Sequence, residues 1–251
     1  MSALPKLEPL LLTLFWRRSV WKPRSLLLLL LVGVDVLGAV FSGQVAPFGY
    51  RSAYDQLAAD AVFGFLLPFS ALQVGTAVVR DEVESGTIGY LLMRPLTRGS
   101  ILLSRFLGGV GVVMGLTTLA LVLNALVMGQ APIGELPRVL AAALLGAAAY
   151  TAVFCALGVV LKRPFVVGVL FLLFFELPVS RLPMVARAIT IRSNVENLAG
   201  VAPETKTLGI LMDVQVAPMT SFLVVTGVLA VAMALAVAVF ERKEYTPDAS
   251  A

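Results

Sequence analysis

The charged residues that could do chemistry are concentrated in residues 80–105, between two long apolar runs. After Arg80, the acidic residues come first and the other basic residues last: Asp81, Glu82 and Glu84, then Arg94, Arg98 and Arg105. Only 14% of the 251 residues are charged, so this concentration is unusual. Carboxylates and guanidinium groups displayed together can pair with a complementary partner surface. The stretch is therefore a candidate docking site.

Catalytic chemistry is poorly provided for in this chain. Histidine is absent, which excludes Ser-His-Asp and Cys-His catalysis and the usual zinc sites. No lysine follows a glycine, so a phosphate-binding loop of the Gly-Lys-Ser/Thr type is absent from the sequence. The single cysteine, Cys155, lies in an apolar run and indicates a small buried side chain. We expect no enzyme, no metal site and no cofactor in this chain, and any ATPase must be another polypeptide.

A short amphipathic helix is predicted inside the charged stretch. Thr87 can cap its start, and Pro95 ends it because proline disfavours helical geometry in the residue before it. Ile88, Leu91 and Leu92 would form a narrow apolar stripe. We expect a helix on the membrane face whose stripe is covered by the spans or by a partner. The alternative is a solvated linker.

These residues resemble the cytoplasmic loop of type-2 ATP-binding-cassette exporter permeases. The family pattern has two acidic residues before Gly-Thr, then two leucines, Arg-Pro, and a polar residue followed by Arg. The matching residues here are Glu82, Glu84, Gly86, Thr87, Leu91, Leu92, Arg94, Pro95, Thr97 and Arg98. The resemblance is closest over residues 80–105, and the length and span layout agree over nearly the whole chain.

The resemblance implies that residues 80–100 are a coupling loop whose helix docks on a separate ABC ATPase. It also implies two permease copies, expected to be a homodimer, with two ATPase subunits that bind ATP and Mg. ATP-driven closure of those subunits would be transmitted through the helix to the spans. The family moves drugs, lipids, polysaccharides, peptides and ions and serves metal-centre assembly, and nothing in the sequence selects among these substrates.

Composition places the whole chain in a lipid bilayer. Hydrophobic residues make up 59% of the chain, and the mean hydropathy is +0.95. Charged residues make up only 14%, whereas soluble domains carry about 25%. We predict an all-α polytopic membrane protein, a single permease domain over residues 1–251. Its six expected spans are residues 25–41, 57–79, 101–128, 139–161, 165–177 and 219–240. Pro68 predicts a kink in the second span, and the alanine-rich fourth span is expected to be buried among helices.

Lysine and arginine residues predict the orientation of the spans. Thirteen lie before the first span, in residues 80–105, at positions 162–163 and at positions 242–243, and six lie on the opposite side. The positive-inside rule therefore places both termini and the charged stretch in the cytoplasm of a cell (inner or plasma) membrane protein, with Ala199 and Thr205 outside. Basic residues at the ends of spans serve topology, so no nucleic-acid partner is expected.

Two segments flanking the spans are predicted to lie at the membrane surface. Residues 1–24 carry tryptophans and basic residues typical of an interfacial helix. An alternative is a signal peptide with residues 26–31 as its core, but its charged lead-in is long and Asp35 interrupts the apolar region. Residues 178–218 are long for a loop, so short amphipathic or re-entrant helices are expected at the outer surface.

Four polar residues inside predicted spans are candidates for a pathway or for buried polar contacts: Asp35, Gln73, Asn124 and Glu176. A charge at the bilayer centre costs about 2.5–3.5 kcal/mol on insertion scales, so Asp35 needs a partner, water or a proton. It is either a pathway residue or part of a buried hydrogen bond to Gln73 or Asn124. Glu176 either lines an exit gate or reaches the outer surface by snorkelling. Asp60, near the outer end of the second span, is expected to contact water.

The function predicted from the sequence is the permease subunit of an ATP-binding-cassette exporter. The alternative is an ion- or proton-coupled secondary transporter that uses Asp35. A membrane scaffold without transport is a third class, and a membrane enzyme is the least favoured because no nucleophile–base set is evident.

Overall fold

The computed structural model describes residues 23–42, 53–84, 97–128, 134–180, 188–201 and 217–243, and nearly all of these are helical, with no strand among them. The α-helices are α1 (Pro23–Ser42), α2 (Ala53–Leu57), α3 (Leu67–Glu84), α4 (Arg98–Met128), α5 (Leu136–Val160), α6 (Pro164–Phe171), α7 (Leu177–Val179), α8 (Ile191–Ala199) and α9 (Pro218–Arg242). Two π-helical segments, π1 (Ala58–Leu66) and π2 (Leu172–Glu176), join α2 to α3 and α6 to α7.

Four of these helices are long and apolar enough to cross a membrane, judged by length and composition: Ala53–Asp81, Arg98–Met128, Leu136–Val160 and Pro218–Arg242. Two shorter apolar helices occupy Leu27–Phe41 and Pro164–Val179. The chain is thus a multi-pass membrane protein built from helices, as its composition predicts. Residues 161–163 make the short connection expected between the fourth and fifth apolar helices.

Each π-helical segment ends two residues before a proline. The Leu67 N–H donates to Val62 O just before Pro68, and the Leu177 N–H donates to Leu172 O just before Pro178. Both bonds span five residues, which is the π pattern. Proline has no N–H for the carbonyl four residues earlier, so the wider pattern before it relieves a ladder that proline interrupts. The irregularity expected at Pro68 therefore extends back to residue 58.

Helix α5 lies at the centre of the bundle and packs against α3, α9, α8 and α4. Small residues make this possible, and the tightest approach is to α3. A Cβ on Gly75 would lie 2.8 Å from Phe154 Cβ, and a Cβ on Gly158 would lie 3.1 Å from Thr76 O. The alanine-rich segment is therefore buried among helices, as predicted. By contrast, α1 and α9 expose large apolar side chains, which suits helices that face lipid.

Several predicted features fall outside the described residues. These are the interfacial segment up to residue 22, the coupling loop from residue 85 to 96, and residues 181–187 and 202–216 of the outer segment. Within the outer segment, α8 is a short helix of the kind expected there. Ala199, expected to be external, is fully buried at the end of α8.

Candidate functional site

Helix α8 is a polar nine-residue helix held almost entirely inside the bundle. Thr190 caps its start, because its side chain accepts a hydrogen bond from the Ser193 N–H. Gly200 ends it with a φ of 78°, a left-handed conformation that glycine adopts without strain. Between these caps, Arg192, Asn194 and Glu196 are all buried. A polar helix in an apolar surrounding needs internal partners for each of these groups.

Arg192 is the centre of the polar contacts around α8. Its Nε donates to Glu196 Oε1 at 2.6 Å, one helical turn away. Its Nη2 donates to Asp60 Oδ1 at 2.7 Å and to Ala59 O at 3.2 Å, both in π1. Gly64 gives the guanidinium room, since a Cβ there would lie 2.8 Å from Arg192 Cζ. Arg192 therefore fastens α8 to the second apolar helix.

Glu176, the last residue of π2, joins the same network. Its Oε1 accepts a hydrogen bond from the Tyr150 hydroxyl and another, at 2.7 Å, from the Arg192 backbone N–H. The side chain is only 1% exposed, so it does not reach the surface by snorkelling. It links α5, π2 and α8 in the interior of the bundle.

Arg192 contributes to three contacts with carboxylates in this network. One guanidinium faces the carboxylates of Glu196 and Asp60, and Glu176 contacts the Arg192 backbone. Burial by itself would lower the pKa of Arg192, but the two paired carboxylates raise it above its ordinary value. Arg192 is therefore a permanent cation, and no proton leaves it in the physiological range. We call Asp60, Tyr150, Glu176, Arg192 and Glu196 the Arg192 network.

Two further contacts fix the C-terminal end of α8. Arg138, at the start of α5, donates from Nε to Leu198 O at 2.7 Å and from Nη2 to Asn197 O at 3.3 Å. Asn197 Nδ2 donates to Ser221 Oγ of α9 at 2.9 Å. Helix α8 is thus hydrogen-bonded to the second, fourth, fifth and last apolar helices. It therefore joins these four helices at the end of the bundle where α5 and α9 begin.

A separate polar contact lies between α1 and α4. Asn124 Nδ2 donates to Asp35 Oδ2 at 2.8 Å, with Asp35 only 6% and Asn124 0% exposed. The other oxygens of both side chains, Asp35 Oδ1 and Asn124 Oδ1, are buried without a hydrogen-bond partner among the described residues. Gln73 Oε1, on α3, is likewise buried and unpartnered within the described parts of the chain. Of the two partners expected for Asp35, the structure shows a hydrogen bond to Asn124.

The charged stretch 80–105 is described only at its two ends. Glu82 and Glu84 belong to the last turn of α3, and nothing is described of their side chains. The remaining predicted docking residues outside the described part are Gly86, Thr87, Ile88, Leu91, Leu92, Arg94 and Pro95. Thr97 caps the start of α4, since its Oγ1 accepts a hydrogen bond from the Ser100 N–H at 3.3 Å.

Arg98 and Arg105, both on α4, contact the ends of neighbouring helices. Arg98 Nη1 donates to Lys243 O at 3.1 Å, at the end of α9, and Arg105 Nη1 donates to Val78 O of α3 at 3.3 Å. The first turns of α4 are therefore joined to the last turns of both α3 and α9.

Sequence reasoning missed the Arg192 network, although one signal was present. Tyr150 and Asp60 lie in different apolar runs, and Arg192 lies in a segment that the sequence identifies only as long and amphipathic. An arginine followed four residues later by a glutamate in that segment was the available indication of an internal ion pair. Among the described residues, no group of His, Cys, Asp and Glu is arranged to hold a metal ion.

Comparison with known proteins identifies similar sequences. The family model described as "ABC-2 family transporter protein" matches residues 41–245. A curated protein of Pseudomonas aeruginosa, "Probable ABC transporter permease protein NosY", is 39% identical over 126 residues, which cover 47% of this chain and 41% of that protein.

A protein of the same name from Stutzerimonas stutzeri is 37% identical over 105 residues, which cover 40% of this chain and 37% of that protein. The matched region thus spans about two fifths of the length of these relatives.

Proposed function

The chain belongs to the ABC-2 transporter family, and from that premise we propose that it is the transmembrane permease subunit of an ATP-driven exporter. It forms the substrate pathway and leaves ATP hydrolysis to a separate polypeptide. The observation that carries this proposal is the family match over residues 41–245, which includes the loop of residues 85–96 and the long apolar helices on both sides of it. The names of the two relatives, both of which describe permease proteins, support it.

In the proposed assembly, two permease copies form a homodimer and each binds one ATPase subunit, which holds ATP and Mg. The docking surface consists of the residues that match the family loop, except the helix-capping Thr97, together with the apolar stripe: Glu82, Glu84, Gly86, Thr87, Ile88, Leu91, Leu92, Arg94, Pro95 and Arg98. The sequence offers no phosphate-binding loop of its own, so hydrolysis takes place in the partner.

The proposed layout has six spans, with both termini on the cytoplasmic side of a cell membrane. The four long apolar helices supply four spans, and the shorter helices Leu27–Phe41 and Pro164–Val179 supply the other two. The sixteen residues of Pro164–Val179 rise about 24 Å as a helix, against a hydrocarbon core of about 30 Å. The bilayer can thin locally around a span of this length.

The proposed route of coupling begins at the two helices that flank the loop. Arg105 donates to Val78 O, so the start of α4 and the last turns of α3 are joined next to the loop. A push on residues 85–96 therefore moves two long spans together instead of bending one connection. Contacts between the loop and the ATPase subunits that strengthen as these subunits close would then favour a different packing of the spans.

Purification of the full chain from its native membrane tests the proposal. The expected result is an ATPase that copurifies in equal amount, and a complex whose protease sensitivity changes when ATP and Mg are added. A chain that purifies without any ATPase, in a mild detergent and at low salt, would contradict the proposal.

Asp35 favours a second candidate, an ion- or proton-coupled secondary transporter. Asp35 and Asn124 are hydrogen-bonded between neighbouring helices, and the other oxygen of each side chain, Oδ1, is buried without a donor among the described residues. Two such oxygens suit a bound cation or proton. Transport by the purified chain in vesicles, driven by an ion gradient alone and lost in Asp35→Asn, would favour this candidate over the first.

A further inference from the structure

The start of α4 and the end of α9 form a specific contact beside the loop of residues 85–96. Arg98 Nη1 donates to Lys243 O at 3.1 Å and approaches Glu241 O at 3.5 Å. These carbonyls belong to the last turn of a helix, where backbone acceptors lack partners within the helix. A guanidinium at this position satisfies them and also favours the negative end of the helix dipole.

Gly99 allows the two helix ends to come this close. A Cβ on residue 99 would lie 3.2 Å from Glu241 Oε1 and 3.5 Å from Val237 Cγ1. The Glu241 carboxylate therefore lies against the first turn of α4, the positive end of that helix. The N-terminal end of α4 and the C-terminal end of α9 therefore lie together here. Glu241 lies at the positive end of α4, and Arg98 lies at the negative end of α9.

Elsewhere α9 makes a looser attachment to the bundle. Met219, Leu223, Val231 and Leu235 are more than half exposed, and the buried side chains of α9 are mainly small. At its cytoplasmic end, by contrast, Lys243 Nζ also donates to Val159 O of α5 at 2.7 Å. The position of the α9 end is thus set by hydrogen bonds to α4 and α5 as well as by packing.

We infer that Arg98 is a positioning residue that carries movement of the 85–96 loop into the last span. This inference rests on the proposed function, since it assumes that an ATPase moves the loop. Arg98 is the second residue after the loop, and its side chain holds the backbone of α9 directly. A displacement of the loop therefore reaches the last span in one step, without passing along α4 through the membrane.

The test measures a distance in the complex of the full chain with its copurified ATPase. Spin labels are placed on two exposed positions, Phe41→Cys on α1 and Val231→Cys on α9, in a Cys155→Ala background. Electron–electron resonance then gives the label separation with and without ATP and Mg. Only assembled complex, isolated by size exclusion, is measured.

We expect ATP and Mg to change the label separation in the otherwise unsubstituted chain. Arg98→Ala should reduce that change at least two-fold, and Arg98→Lys should restore most of it, because a lysine ammonium can still donate to the carbonyls. The matched control is Arg163→Ala, which removes an exposed arginine in the α5–α6 turn and should leave the change intact. A structural defect alone would not be rescued by lysine.

A disulfide supplies a second, independent measurement. Gly99→Cys with Glu241→Cys places two cysteines at the helix ends that face each other, and complexes in which oxidation has formed the disulfide are separated by a gel shift. The nucleotide-dependent change should persist in these cross-linked complexes. Loss of the change on cross-linking, an undiminished change in Arg98→Ala, or no change in the wild-type complex would each overturn the inference. Absence of any ATPase in the wild-type preparation would instead overturn the proposed function itself, and the inference with it.

Discussion

The guanidinium of Arg192 lies 2.7 Å from the carboxylate of Asp60, and this pair joins a short buried helix to the second apolar helix of the bundle. The Asp60 side chain is 38% exposed, whereas that of Arg192 is 5% exposed. The Arg192–Asp60 pair is therefore only partly buried, whereas Glu196, the other partner of the same guanidinium, has a side chain that is 4% exposed.

The first prediction concerns Arg192. Arg192→Ala should destabilise the bundle by about 3 kcal/mol or more, because it removes the guanidinium that pairs with the buried Glu196 carboxylate at 2.6 Å. Asp60→Asn should cost less, since the Asp60 side chain is 38% exposed and the amide can still accept from Arg192. The loss of the elution peak of the folded permease after heating, measured by size-exclusion chromatography in detergent, gives the order of stability. Equal midpoints for Arg192→Ala and wild type would contradict the role given to the network.

The second prediction concerns the contact between α1 and α4. Asp35→Asn should leave the protein folded, because an amide can still accept from Asn124. Asp35→Leu should destabilise it by about 1–3 kcal/mol, the cost of leaving a buried donor unsatisfied. The double variant Asp35→Leu with Asn124→Leu should recover part of that loss. Wild-type stability in Asp35→Leu alone would show that the hydrogen bond has no structural value.

Close packing of α3 on α5 gives the third prediction. Gly75→Ala should cost about 1–3 kcal/mol, since its new Cβ would lie 2.8 Å from Phe154 Cβ. Gly227→Ala on α9 is the matched control, because a Cβ there has no heavy atom within 4 Å and alanine is the better helix former. The same thermal assay serves both. A Gly75→Ala protein as stable as the control would show that the two helices lie further apart.

Orientation is the fourth prediction. Cysteines at Thr87 and Thr205, each in a Cys155→Ala background, should be labelled from the cytoplasmic and the outer side respectively. The uneven distribution of lysine and arginine is the physical reason. Ala199 is unsuitable as the outer probe because it is buried. Outside labelling at position 87 by a membrane-impermeant maleimide would reverse the layout.

The fifth prediction concerns the loop that we propose docks on the ATPase. Leu91→Asp should reduce ATPase copurification at least ten-fold while the permease still inserts, because a charge replaces an apolar side chain of the docking stripe. Glu84→Lys should weaken binding more at low salt than at high salt, since exposed charge pairs are screened. Glu135→Lys, at the opposite end of the bundle, is the charge control. Normal recovery of ATPase with Leu91→Asp would favour the linker alternative.

Local patterns in the sequence predicted the helices better than their contacts. The apolar runs gave the long helices, although the second helix extends from residue 53 to 84 instead of 57 to 79, because hydropathy ignores the polar turns at helix ends. Thr97 and the alanine-rich α5 were predictable from capping and composition. The partners of Arg192 were not, because Asp60 lies 132 residues away and no periodicity connects the two positions.

The burial of Glu176 is a second feature that the sequence could not predict. Its place at the end of a short apolar run is typical of a residue that reaches the surface, and only the folded bundle brings Tyr150 and Arg192 to it. The π-helical segments are an intermediate case. Pro68 and Pro178 indicate an interruption, but how many preceding residues adopt the wider pattern depends on the neighbours that accept the freed backbone groups.

The Arg192–Asp60 pair also constrains the order in which the protein can be made. Residue 60 leaves the ribosome before residue 192, and at usual rates of synthesis the interval is on the order of ten seconds. During that time Asp60 enters the membrane before Arg192, the cation with which it pairs, and Glu176 enters before the Arg192 backbone N–H from which it accepts a hydrogen bond. The contacts that join α8 to the second and fifth apolar helices therefore form only after the first five apolar helices and α8 itself have been synthesised.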